Sequence, residues 1–150
     1  MPTLNFSAQL ESMCEGAKKN LKLVVAGSAN DVFELATRRQ ASIKETGTYR
    51  EGFVPVDTGY LVGSTQFLIN GSLKLEGNGA SGKASLPPDF ARGLIGMELG
   101  DTVSMYFTAD YAEAVEYGTR YMNGRFYVRN AAMQWETLVD MNAQQFGFAS

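Results

Sequence analysis

The sequence predicts an α+β fold, with a long N-terminal helix and a C-terminal helix packed on a small antiparallel sheet. Three observations lead there. Apolar residues recur at three- and four-residue steps from Asn5 to about Ile43, which is the period of a helix face. Beyond a loop at 45–56 the period falls to two, and Asn70-Gly71 sits between two apolar runs, the mark of a hairpin. From Val128 the helical period returns. With 150 residues, 45% of them apolar, the chain suffices for one core and is too short for two. Residues 1–150 therefore read as one domain: a helical arm at 1–44, a sheet region at 55–126 with a short helix at 111–117, and a terminal helix at 127–146.

The arm carries Phe6, Leu10, Met13, Ala17, Leu21, Val24, Val32, Leu35 and Ala36 on its apolar face. Unbroken, it would be roughly 55 Å long at about 1.5 Å per residue. Gly27-Ser28 and Asn30-Asp31 predict a kink or break, with Ser28 or Asn30 as the new N-cap. Such a helix exceeds what a small domain needs to cover its own core, so part of its face is expected to pack on another subunit. Cys14 lies on the apolar side and is expected as a buried, inert thiol.

In "QFLINGSLKL" the Asn-Gly pair suits a type I′ turn, which needs positive φ at both central residues. A second hairpin is expected at Gly100-Asp101, with Ile95, Met97 and Leu99 alternating before it and Val103, Met105 and Phe107 after it. One sheet face should then be buried under the long helix. Asp110 is expected to cap a helix from Tyr111 to Tyr117 that stops at Gly118. A brief strand, Arg120 to Phe126, leads to the last helix, whose expected inner face is Val128, Ala132, Trp135, Val139 and Phe146, with Gly147 as its stop.

Composition removes several function classes. Histidine is absent, which excludes Ser–His and Cys–His dyads and most zinc sites. A formal charge of −3 argues against a dedicated DNA-binding domain. The single Cys14 has no internal disulfide partner, and no apolar run nears 18 residues. Nothing at the start reads as a signal peptide, so a soluble protein made in a cytoplasm is expected.

"GNGASGKA", residues 77–84, matches seven positions of the phosphate-loop pattern, with Lys83 in the lysine position. Its hydroxyl position is Ala84, and Pro87-Pro88 follow too soon for the helix that such a loop opens. A Gly/Ser loop between strands, ordered against a partner, is the expected reading. Glu11/Glu15 and Glu113/Glu116 are acidic pairs of the kind a glycosidase or metal site uses, but exposed helix glutamates explain them. Arg120, Arg125 and Arg129 alternate with Tyr121, Phe126 and Tyr127. That mixture suits stacking on a nucleic acid and equally a protein interface, and the acidic chain favours the interface. In "PVDTGYL", Asp57 or Thr58 caps a turn that Gly59 relaxes. Asp-Thr-Gly is also the nucleophile loop of aspartic proteases, but the long helical start does not fit that fold.

The order of these elements resembles the small tail-component family of long-tailed bacteriophages, the neck or tail-completion proteins that join tail to head. The resemblance rests on Pro55, Val56, Asp57, Thr58, Gly59, Leu61 and Ser64, then on Tyr111, Ala112, Val115, Glu116, Tyr117, Gly118 and Thr119, and on Arg125 and Phe126 before the last helix. It implies a structural virion protein, assembled in the host cytoplasm, with no enzymatic activity, cofactor or metal. It further implies a homo-oligomeric ring, a hexamer by the symmetry of such tails. Head-connector or neck proteins and tail tube or terminator proteins would be its neighbours, and passing DNA a transient, non-specific contact. A tail terminator or connector stopper is the alternative of the same class, and a small hydrolase using Asp57 or Glu113/Glu116 that of another. The implied interface holds Asp57, Thr58, Gly59, Lys83, Glu113, Glu116, Gly118, Thr119, Arg120, Arg125, Phe126 and Arg129. Within it, Glu113 and Glu116 are expected to point outward, and Glu116 or Glu113 to meet an arginine of the 120–129 run across a subunit boundary.

Overall fold

Helix α1 runs uninterrupted through the 32 residues Phe6–Thr37 of the computed structural model, which describes residues 6–40, 51–55, 61–80 and 84–147. The break expected at Gly27-Ser28 is absent. Ser28 bonds back to the Val24 carbonyl at 2.7 Å, so its hydroxyl serves the helix interior and does not start a new one. Gly27 is needed because another helix crosses there: a Cβ would stand 2.5 Å from Asn142 Oδ1. The helix also stops before Ile43. Arg39–Gln40 form a short strand, β1, paired in parallel with β2 (Val54–Pro55).

Strands β3 (Thr65–Ile69), β4 (Ser72–Glu76) and β5 (Val103–Phe107) form an antiparallel sheet in the order β4-β3-β5. The Asn70-Gly71 hairpin is as expected, with φ of 52° and 80° and Ile69 opposite Ser72. The second hairpin is not. Strand β5 pairs with β3, Phe67 opposite Met105, and the chain before it forms helix α2 (Phe90–Leu94). Asp89 caps α2 by accepting from the Arg92 amide at 3.3 Å. Of the three alternating residues, Met97 is buried while Ile95 is 80% and Leu99 39% exposed. Three alternating positions are too few to distinguish a strand from a helix exit.

At the turn into β5, Asp101 accepts from the Glu98 amide at 2.8 Å and from the Asn70 side chain at 2.9 Å. These bonds, the backbone one first, hold its carboxyl below the usual carboxylate range. Their contribution is therefore complete above the ordinary carboxylate pKa and fades as acid protonates the folded state.

The inner sheet face packs under α1, as the alternation predicts. Phe67 and Ile69 meet Ala29, Phe90, Leu94 and Met97 in one cluster. A second cluster gathers Val54, Leu61, Val62, Ala109, Val115 and Tyr127. Between β4 and α2 the described parts of the glycine-rich loop are tied down. The Asn78 side chain donates to the Ala84 carbonyl and accepts from the Leu86 amide, and Ser85 Oγ accepts from the Gly63 amide at 2.6 Å. Residues 85–89 are not helical, so the helix that a phosphate loop requires is missing. Lys83 lies outside the described residues.

Helices α4 (Tyr127–Met133) and α5 (Trp135–Gln145), separated by Gln134, close the fold against α1. Their inner face is not the expected one. Tyr127, Ala131 and Asn142 are buried, whereas Val128 is 40% and Trp135 41% exposed and Ala132 is exposed. Asn142 takes the inner position because α1 offers it Asp31 at 2.9 Å and the space at Gly27. Val139 and Phe146 are half-buried, and Gly147 ends the helix with φ of 93°, as expected.

Past Asn20, against which Gly147 lies, α1 continues N-terminally with its apolar face bare. Phe6, Leu10 and Met13 are 78%, 48% and 71% exposed. Cys14, expected to be buried, is exposed, because the apolar stripe outruns the core it was assumed to cover.

Candidate functional site

The block Tyr111–Asn130 forms a knot around one side chain. Helix α3 (Ala112–Tyr117) starts without a side-chain cap, since Tyr111 occupies the N-cap position and Asp110 makes no capping bond there. The helix is rotated so that Val115 and Glu116 are buried while Glu113 and Tyr117 face out. Gly118 ends it with φ 86° and ψ 175°, a region essentially restricted to glycine. Gly118–Thr119 (β6) then pairs with Met122–Asn123 (β7), leaving Arg120 and Tyr121 at the tip of a tight hairpin. The expected strand from Arg120 to Phe126 is thus reduced to β7.

Glu116 does not point outward. One carboxylate oxygen accepts from the Val128 amide and the other from the Arg129 amide, both at 2.9 Å. These are two of the amides that the first turn of α4 leaves without helical partners, and the helix dipole favours a negative charge there. Phe126 at the N-cap has no oxygen to offer, so the cap comes from α3. The Glu116 carbonyl accepts in addition from the Phe126 amide at 3.0 Å, and the Val115 carbonyl from the Arg125 amide at 2.8 Å. This grip holds Phe126 at φ 50° and ψ 38°, a left-handed conformation that costs a non-glycine residue about 1 kcal/mol or more.

Arg125 is also turned inward, 7% exposed, donating to Gln40 Oε1 at 3.0 Å. It ties the knot to β1, so Arg125 and Glu116, both expected at a subunit boundary, bond within the subunit. Tyr127 is buried, with its hydroxyl on the Ala112 carbonyl at 2.9 Å and its ring edge-on to Phe107. Burial first, then the negative charge of Glu116 and then Tyr111, push its phenol well above the usual tyrosine range. The protonated phenol is the form the fold favours, so its contribution is complete below about pH 10 and is lost as pH rises above it. Tyr127→Phe is expected to flatten the decline of stability between roughly pH 10 and 11.5, read from urea midpoints across that range.

The exposed remainder is compact in sequence. Tyr117 and Tyr121 are 65% and 88% exposed, and the Arg120 guanidinium lies 5.5 Å from the Tyr121 ring centroid. Arg129 is exposed, 5.7 Å from the Phe126 ring, and Thr119 is exposed beside the tip. Exposed aromatics with arginine are what protein interfaces concentrate.

Of the expected interface residues, Glu116, Gly118, Thr119, Arg120, Arg125, Phe126 and Arg129 therefore share one knot. Glu113 stands on its outer side, and Asp57, Thr58 and Gly59 lie outside the described residues. A carboxylate pair needs a shared cleft, whereas Glu113 is exposed and both oxygens of Glu116 are taken by the amides of α4. Among the described residues no group of three or more His, Cys, Asp or Glu side chains could hold a metal ion, and no helix is long and apolar enough to cross a membrane. Gln40 as the partner of Arg125, the Tyr127 hydroxyl and the left-handed Phe126 had no sequence signal.

Comparison with protein-family models, curated proteins and solved structures finds no match to this chain.

Proposed function

We infer that this chain is a structural virion protein of a tailed bacteriophage, forming a ring at the neck or tail top that completes the tail and joins it to the head connector. The observation that carries the reading is the surface left bare by the fold. The first turns of α1 expose Phe6, Leu10 and Met13, and the β6–β7 hairpin presents Tyr117, Arg120 and Tyr121. Exposed patches of this kind mark association surfaces. The order of the Pro55–Ser64 and Tyr111–Thr119 blocks supports the assignment to phage necks, and sixfold symmetry follows from the resemblance alone.

With Glu116 and Arg125 committed inside the subunit, the outward charges of the knot are Glu113, Arg120 and Arg129. In a head-to-tail ring, Glu113 of one copy meets Arg120 or Arg129 of the next. The inner surface lets DNA pass without holding it, which an acidic chain favours.

The test is immunogold labelling of particles from the host that carries the gene. Gold at the head–tail junction is expected. Gold along the whole tail, or none on finished particles, would overturn the neck assignment.

A further inference from the structure

We propose that the N-terminal arm of α1 seats in a groove on a second copy of this chain, between that copy's α1 and its α4–α5 pair. The inference rests on the ring reading and names one contact within it. The groove is about 430 Å³ and has apolar walls, among them Val32, Ala36, Met105, Val128, Ala132 and Trp135. Its rim residues Val128 and Trp135 keep two fifths of their surface exposed, although their spacing is that of an inner helix face.

The arm matches this groove in length and pattern. Phe6, Leu10 and Met13 stand at i, i+4 and i+7, and so do Val128, Ala132 and Trp135. Each stripe is about 10 Å long at 1.5 Å per residue. Residues 6–19 are exposed on every side except at Ala8, and no described part of the chain covers Phe6, Leu10 or Met13. Helix in groove is a common way to bury such a stripe. Two complementary contacts per subunit, one given and one received, form a heterologous interface of the type that closes rings.

Charge sets both the occupant and its direction. Residues 6–17 carry Glu11 and Glu15 and no cation. Lys18 and Lys19 follow, and Lys18 meets Glu15 at 3.6 Å on the exposed surface, so Glu11 carries most of the arm's net negative charge. The exposed Arg129 follows Val128 at one end of the groove, and the exposed Glu136 follows Trp135 at the other. With Met13 over Val128 and Phe6 over Trp135, the acidic turns lie beside Arg129. Glu136 then faces the positive end of the arm helix. The arm thus runs antiparallel to α4–α5, and reversing it would set Glu11 and Glu15 beside Glu136.

The exposed Cys14 supplies the probe. Wild-type chain is mixed with a differently tagged Cys14→Ser, Val128→Cys chain, which keeps Arg129, and oxidised gently. A disulfide between the two tags is expected, reduced at least tenfold when the wild-type partner carries Leu10→Asp. That substitution lies on an exposed position and is checked for an unchanged helix signal. A second chain, Cys14→Ser with Glu136→Cys, should cross-link at least tenfold less. Preferential linkage to position 136 would overturn the direction, and Cys14–Cys14 linkage alone would overturn the groove as occupant. Oligomers that form without either link would sink this contact and leave the ring reading standing. A chain that stays monomeric at every concentration and is missing from particles would remove both.

Discussion

Glu116→Ala is expected to lower the stability of the fold by about 2–4 kcal/mol, with its melting temperature falling by roughly 5–15 °C for a chain of this size. Removing a side-chain helix cap costs about 0.5–2 kcal/mol, and leaving a part-buried amide without a partner adds up to about 1–3 kcal/mol. Here one carboxylate serves both the Val128 and Arg129 amides. Glu116→Gln keeps one accepting oxygen but sets an NH2 against the second amide and loses the charge that favours a helix N-terminus, and should cost about 1–3 kcal/mol. Glu113→Ala, on the exposed side of the same helix, should stay within about 0.5 kcal/mol of the parent. Urea unfolding of the three variants tests this directly. An unchanged midpoint for Glu116→Ala would mean that the carboxylate is not committed to α4 and is free for a partner after all.

Phe67→Ala is expected to be larger still, about 3–5 kcal/mol, against a total stability for domains of about 5–15 kcal/mol. Phe67 is fully buried in the central strand. Its ring meets Phe33 edge-on at 6.1 Å and Phe90 at 6.2 Å, so its loss opens the contact between the sheet, α1 and α2 at once. Phe67→Leu refills part of that space and should recover about half of the loss. The measurement is the urea midpoint with the slope held constant, and a loss under about 1 kcal/mol would place the principal core elsewhere.

Local chemistry made much of this fold legible. Asn70-Gly71 has one natural backbone conformation between two apolar runs, and the hairpin formed there. Gly118 ended α3 and Gly147 ended α5 for equally local reasons. Spacing also gave the α+β class and the burial of one sheet face under α1. It failed wherever the question was which of two faces turns inward. Val128, Ala132 and Trp135 share a stripe, but Gly27 and Asp31 on α1 select Asn142 instead. The same ambiguity set Glu116 outward in the reading and inward in the fold, since a carboxylate has no reason to be buried until the amides of α4 arrive. Arg125 inverted likewise because Gln40, 85 residues away in sequence, receives it. Two charged residues of the candidate block, Glu116 and Arg125, therefore bond within the subunit. Cys14 was misjudged because an apolar stripe does not say whose core it serves.

On the proposed reading, the faces of this chain left bare, Phe6, Leu10 and Met13 among them, are contacts between copies. Sedimentation velocity of the purified protein over rising concentration tests it most directly. A discrete closed oligomer, with a mass that stops growing once the ring is complete, is the predicted result. A single chain at every concentration, sedimenting unchanged after Leu10→Asp, would contradict it.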